Sequence, residues 1–273
     1  MPKVLTQEQI DFYRDKGYLA PLEGIGSDDA AAMLEDLKAF EEAHDLSAGR
    51  LNIKGHLCFR RSYDFTFNDR ILDVVEDLIG PNILAFASRF WIKGGQDGTY
   101  VSWHQDSAYF GLDPHELVTV WLALTDATPE MGCMKVIPGS HRGKAYSHEE
   151  TFHEKNLLAR GQVIHDVDGT DFDYMPLKQG QFSCHHERIV HGSDANDTPV
   201  DRIGLGLFFI PTHVKSTIGR RTACLVRGVD EYGYWDEDPV PKDRFDSEII
   251  AHIRAASDRY VDPQYVQEAE TDA

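Results

Sequence analysis

The segment YVSWHQDSAYF, residues 100–110, sets an imidazole and a carboxylate two positions apart among aromatic neighbours. On an extended strand, residues i and i+2 face the same side, so His104 and Asp106 are expected to project together, with Gln105 opposite and the two Cα atoms about 7 Å apart. A neutral nitrogen ligand beside an anionic oxygen ligand can chelate a divalent metal. Joined by one distant histidine, the pair makes the 2-His-1-carboxylate facial triad of non-haem iron(II), which leaves coordination positions open on one side. The pair alone says little in a chain with 13 histidines. Three of them, His185, His186 and His191, compete for the third place within CHHERIVHGSDANDTPVDR. Eleven residues beyond His191, Arg202 opens an apolar strand. An unpaired buried guanidinium is costly. A dicarboxylate ligand would offset that cost, because arginine holds a carboxylate through two parallel hydrogen bonds, and Ser193 could add a hydroxyl to the same carboxylate.

Positioning these residues is a task for the elements around them. TQEQIDFYRDK (6–16) reads as a helix with Thr6 and Gln9 as its capping box and Gly17 as its stop. Residues 27–45 form a second helix whose Met33, Leu34, Leu37 and Phe40 make a buried stripe. A third runs from about Asn68 to Ile79 and ends at Gly80 and Pro81. From there the texture changes to short runs rich in β-branched and aromatic residues and punctuated by glycine, proline and aspartate. The predicted strands are NILAFASRFWIK, YVSWHQD, LVTVWLALTD, CMKVIPGS, DYMPLKQGQFSCHH and RIGLGLFFIP. A helical leader followed by many short strands predicts a mainly β fold with flanking helices (α+β) and a double-stranded β-helix, a cupin-like jelly roll, at its core. The connection at 143–172 is expected to carry a local helix around HEETFHEKNLLAR. DRFDSEIIAHIRAASDRYV is expected to be a C-terminal helix, and QEAETDA a frayed acidic tail. Without repeats or linkers the chain reads as one domain over residues 1–273: a helical leader (1–80), a jelly-roll core (about 81–215), and a lid and helix (216–265).

The ordered motifs SWHQD (102–106), VWLALTDATPEMGCMKVIPGSHR (120–142) and VHGSDANDTPVDRIG (190–204) resemble those of the phytanoyl-CoA dioxygenase family of Fe(II)- and 2-oxoglutarate-dependent oxygenases. The likeness runs from the first helix to about residue 235. It implies His104, Asp106 and His191 as iron ligands. It implies Arg202 as the arginine that holds the distal carboxylate of 2-oxoglutarate, with Ser193 and Trp121 lining the co-substrate site. It further implies Fe(II), 2-oxoglutarate and O2 as cofactor and co-substrates, release of succinate and CO2, and oxidation of a substrate C–H bond. Relatives that chlorinate carry alanine or glycine in place of the carboxylate. Asp106 is retained here, which favours hydroxylation. One departure is EMGC (130–133) where relatives often read ENGC, so Met131 removes a polar turn-former from that loop.

Other residues have two readings each. By strand alternation Arg89, Trp91 and Lys93 share a face. Arg89 is assigned to the co-substrate, with an anionic substrate or an edge-strand surface position as alternatives. His56, Tyr109, Phe110 and His186 are assigned to the substrate pocket, each with a packed core or loop position as the competing reading. His185 is read as structural, and His141 as part of the turn that Pro138 and Gly139 set. The segment RGVDEYGYWDEDP (227–239) reads either as a lid over the barrel mouth or as cover for its outside.

Composition narrows the class. At 273 residues and 41% hydrophobic content, the chain can bury a substantial core. Four dispersed cysteines without a CxxC pair argue against a disulfide framework or a structural zinc site and for a reducing cytoplasm. A net charge of -19 disfavours nucleic acid, anionic membranes and large polyanionic substrates. Apolar runs such as IGLGLFFIP are too short to span a bilayer, and the first residues carry no apolar signal core. The expected partner is therefore a small polar metabolite or natural-product intermediate; nothing in the sequence sets the oligomeric state. Two readings of other classes stay open: a non-catalytic metabolite-binding protein of this fold, and a zinc hydrolase using the same three ligands.

Overall fold

A computed structural model describes residues 2–44, 47–51, 53–167, 169–242 and 246–261. Helices lead the chain: α1 (Gln7–Lys16), α2 (Ser27–His44), α3 (Arg60–Phe65) and α4 (Asp69–Ile79). The Thr6–Gln9 capping box closes the start of α1, and Gly17 in the left-handed region ends it. The Asn68 side chain accepts from the first amides of α4.

The main strands are β1 (Tyr18–Glu23), β2 (Ile83–Lys93), β3 (Val101–His104), β4 (Val118–Ala123), β5 (Met134–Val136), β6 (Asp173–Met175), β7 (Gln181–His186), β8 (His191–Ser193), β9 (Arg202–Pro211), β10 (Thr222–Arg227) and β11 (Asp236–Glu237). They build two sheets, a seven-stranded one in the order β1-β7-β4-β9-β2-β10-β11 and a four-stranded one in the order β3-β8-β5-β6. Two facing sheets of this kind are the jelly roll that the sequence predicts.

The large sheet separates core from site. On its outer face Leu205 and Leu207 of β9, with Val120 and Leu122 of β4, pack in one cluster with Met33, Leu37 and Phe40 of α2 and Leu72 of α4. That burial is what fastens the helical leader to the sheet, at roughly 25 cal/mol per Å² of apolar surface removed from water. The inner face follows from alternation and register. Arg202 lies opposite Lys93, Gly204 opposite Trp91 and Gly206 opposite Arg89, while Gly206 also faces Trp121 on β4. The glycines create room there. A Cβ on Gly204 would meet the Trp121 ring at 2.1 Å, and one on Gly206 would meet the Trp91 indole nitrogen at 3.0 Å.

Two expectations need correction. The strand carrying His104 stops at that residue, its last pairing being with His191 of β8, and Asp106 turns into helical backbone to start a one-turn helix, α5 (Ser107–Phe110). The connection at 143–172 holds no helix among its described residues. Tyr100 exchanges backbone hydrogen bonds with it instead, Tyr100 N–H donating to the Lys155 carbonyl and Leu157 N–H to the Tyr100 carbonyl, and a short strand pair joins Glu149–Glu150 to Gln162–Val163. The 227–239 segment runs on into the edge strand β11, with Trp235 buried against Phe86. The C-terminal helix α6 spans Ser247–Val261, and the acidic tail 267–273 lies outside the described residues. No helix of the described residues is long and apolar enough to cross a membrane.

Candidate metal centre

The small sheet supplies two imidazoles. His104 ends β3 and His191 begins β8, and their rings lie 4.1 Å apart between centroids. Each Nδ1 faces a backbone carbonyl, Ser102 at 2.9 Å and Ile189 at 3.0 Å. A backbone acceptor at Nδ1 fixes the proton there and leaves Nε2 as a bare lone pair. Both Nε2 atoms point at Asp106, whose Oδ1 lies 3.6 Å from His104 and 3.9 Å from His191. The three ligand atoms fall within 4.8 Å of one another, and all three residues are buried. Among the described residues no lysine or arginine pairs with Asp106, yet its carboxyl is held well below the usual range. Burial by itself would raise it, but His191, followed by His104 and His185, outweighs that. The His191 imidazole is pushed well below its ordinary value by burial and by the neighbouring His104 and His185. A carboxylate kept ionised beside a His191 imidazole kept neutral suits the ligand set of a divalent iron.

The other carboxylate oxygen is held by the large sheet. Thr119 on β4 donates to Asp106 Oδ2 at 2.9 Å, and His185 Nε2 stands 3.5 Å from the same oxygen. Sequence reasoning took His185 as structural and missed Thr119. The register pairing His185 with Thr119 brings both to the site.

Arg202 sits 2% exposed on the cavity floor, its Nε without a hydrogen-bond partner and its guanidinium 5.0 Å above the Trp121 ring. Burial lowers its pKa to about 10, still far above neutrality. Lys93 opposite it is fully buried and donates to Ser193 Oγ at 2.7 Å and to the carbonyls of Gly132 and Asp194. Burial, then repulsion from Arg202, lowers the Lys93 amine to about 6. Ser193 Oγ accepts from Lys93, so its own proton remains available to the cavity that Ser193, Arg202, Trp121 and the three ligands line together.

The remaining predicted residues divide. Tyr109 stands edge-on to His104 at 5.9 Å. Phe110 turns the other way into a core cluster with Phe86 and Phe208, because consecutive residues of a helical turn diverge. His186 points to the far side of the large sheet, 5.2 Å from His141 and beside α1. His56 is buried in a separate polar cluster with Ser88, Cys224 and Asp238. So Tyr109 touches a ligand ring, while Tyr109, Arg89, Phe110, His186 and His56 all stand outside the residues that line the cavity. Arg89 lies on the inner face, two residues from Trp91.

Comparison with known proteins agrees with this geometry. The family model for phytanoyl-CoA dioxygenase (PhyH) matches residues 1–204. A probable alpha-ketoglutarate-dependent hypophosphite dioxygenase of Stutzerimonas stutzeri is 27% identical over 215 residues, 71% of this chain and 75% of that protein. A probable phytanoyl-CoA dioxygenase of Caenorhabditis elegans is 32% identical over 136 residues, and the match covers only 44% of that relative. The solved structure of the non-heme monooxygenase ThoJ, in its apo form, superposes with a TM-score of 0.83 at 27% identity, covering 97% of this chain and all of the other. The chain belongs to the phytanoyl-CoA dioxygenase family, with iron(II), 2-oxoglutarate and dioxygen as its cofactor and co-substrates.

Proposed function

We propose that this protein is a hydroxylase of a small metabolite, with His104, Asp106 and His191 holding iron(II) and Arg202 anchoring 2-oxoglutarate. One observation carries the reading: three ligand atoms within 4.8 Å of one another, on the same cavity as a buried guanidinium that lacks an ion-pair partner. Iron(II) with 2-oxoglutarate supplies, when bound, an oxidant strong enough for an unactivated C–H bond, the keto acid leaving as succinate and CO2. The chain's own residues do the rest. Arg202 and the Ser193 hydroxyl grip the distal carboxylate and fix the keto acid's orientation. Trp91, Trp121, Met134 and Phe208 line a largely apolar cavity that keeps water from the reacting centre. Thr119 and His185 keep Asp106 from turning. The presence of Asp106 supports hydroxylation over halogenation, because its Oδ1 takes the position a halide would need.

The test is succinate release under air with added iron(II) and 2-oxoglutarate, in the presence of a panel of small metabolites. Turnover that depends on iron and on the keto acid, and that disappears in His104→Ala, is the expected result. Full activity of His104→Ala, or activity with zinc and no keto acid, would overturn the reading.

A further inference from the structure

Arg202 is not the only arginine on the cavity side of the large sheet. Arg89 sits on β2 four residues before Lys93, and both face inward. Arg202 pairs with Lys93, so Arg89 is displaced along the floor by about 13 Å of strand. That separation is too great for the two guanidiniums to hold one carboxylate, which moves Arg89 away from the co-substrate role assigned from sequence.

Its surroundings are those of a built anion seat. The guanidinium lies 4.1 Å over the Trp91 ring, and one Nη donates to the Leu157 carbonyl at 2.6 Å. Its Nε is buried without a partner, and among the described residues no carboxylate pairs with it. Burial lowers it to about 10, so it stays charged at neutral pH. The phenol of Tyr109 lies close enough to interact with that charge, and the Tyr109 ring reaches His104. Arg89 thus connects through Tyr109 to His104, beside the cavity that the three ligands line.

We propose that Arg89 anchors an oxyanion on the substrate, a carboxylate or phosphonate of a small molecule whose oxidised carbon then lies beneath the His104 side of the centre. This rests on the oxygenase reading above and names the substrate class for it. The planar donor fork of arginine matches a two-oxygen acceptor, and an aromatic ring beneath it holds the fork flat. The net charge of -19 sets the size limit, since it opposes a polyanion and tolerates a single charge met by a partly buried cation.

The experiment is a thermal-shift titration of the full chain loaded with manganese(II) and saturating 2-oxoglutarate, using acetate, benzoate, methylphosphonate and neutral benzamide, each up to about 20 mM. At least one oxyanion should raise the melting temperature of the wild type while benzamide does not. Arg89→Gln should lose that response by about tenfold or more in concentration, and Arg89→Lys should restore part of it, as a charge without the fork. Any of three results overturns the proposal: no response to any of the anions, an equal response to benzamide, or an unchanged response in Arg89→Gln. A wild type that ignores 2-oxoglutarate itself defeats the parent reading and this inference with it. A normal response to 2-oxoglutarate without an anion response defeats this inference alone.

Discussion

At the scale of single residues, the cavity floor joins Arg202 to a lysine that gives up its proton easily. Lys93 has its amine lowered to about 6, so it is mostly neutral at pH 7.5 when the cavity holds no anion. A dicarboxylate beside it favours the charged form and raises that value. Binding of 2-oxoglutarate should therefore take up a proton, and affinity should weaken as pH rises from about 6 to 8 at constant metal loading. Calorimetry in two buffers of different ionisation heat measures that uptake, and Lys93→Met should remove it. Arg202→Gln should raise the KM for 2-oxoglutarate by about 30-fold or more, the loss of a charged two-point contact worth about 2 kcal/mol or more, read from succinate release. That His104, Asp106, His191 and Arg202 meet at one cavity was legible through the ordered motifs that resemble the family's. His185 and Thr119 were not, since nothing in either residue reveals that it faces Asp106 until the pairing of β7 with β4 is known.

At the scale of elements, β1, β10, β11 and α3 were not expected, whereas three leading helices and the strand runs between residues 82 and 211 could be read from capping and alternation. The connection at 143–172 could not. HEETFHEKNLLAR has helical composition, but Tyr100 draws its backbone into bonding with the metal-bearing strand, and Asn156 donates to Ser102 Oγ. Tertiary pairing overrides local propensity there. Likewise the strand reading of 100–106 ran two residues too far, yet Asp106 still reaches His104 because the first turn of α5 folds the carboxylate back toward the ring. On β9 the glycines at 204 and 206 are clearance for two tryptophans. Gly204→Ala should force Trp121 out of place, costing about 1–3 kcal/mol in urea unfolding, and should weaken 2-oxoglutarate binding at the same time. A loss of stability with unchanged co-substrate affinity would show that Trp121 does not shape that site.

At the scale of the whole molecule, the C-terminal segment is bolted to the sheet through a buried charge. Lys54 contacts Asp238 at 2.6 Å and the carbonyls of Phe86 and Thr222, and His252 of α6 reaches the other Asp238 oxygen at 3.1 Å. Lys54→Met should destabilise by about 3–5 kcal/mol because it strands a buried carboxylate, as measured by denaturant midpoint. His56 adds a pH dependence to this cluster. Burial, then repulsion from Lys54, lowers it to about 3, against an unfolded value of about 6.5. The folded state thus binds fewer protons, so stability is complete above pH 6.5 and is lost on acidification toward pH 3, at up to about 1.4 kcal/mol per pH unit from this residue. A His56→Phe variant should show a shallower decline over that range. The surplus of acidic groups should also make the melting temperature rise with sodium chloride, since salt screens their mutual repulsion. Asp106 has a further effect at this scale, because one of its oxygens faces imidazoles of the four-stranded layer while Thr119, in the seven-stranded layer, grips the other. An ion seated there would act as a cross-brace between the two halves of the barrel. Its departure should loosen the thinner layer first, visible as faster amide exchange at Val101–His104 and His191–Ser193 than in the helix-backed wall.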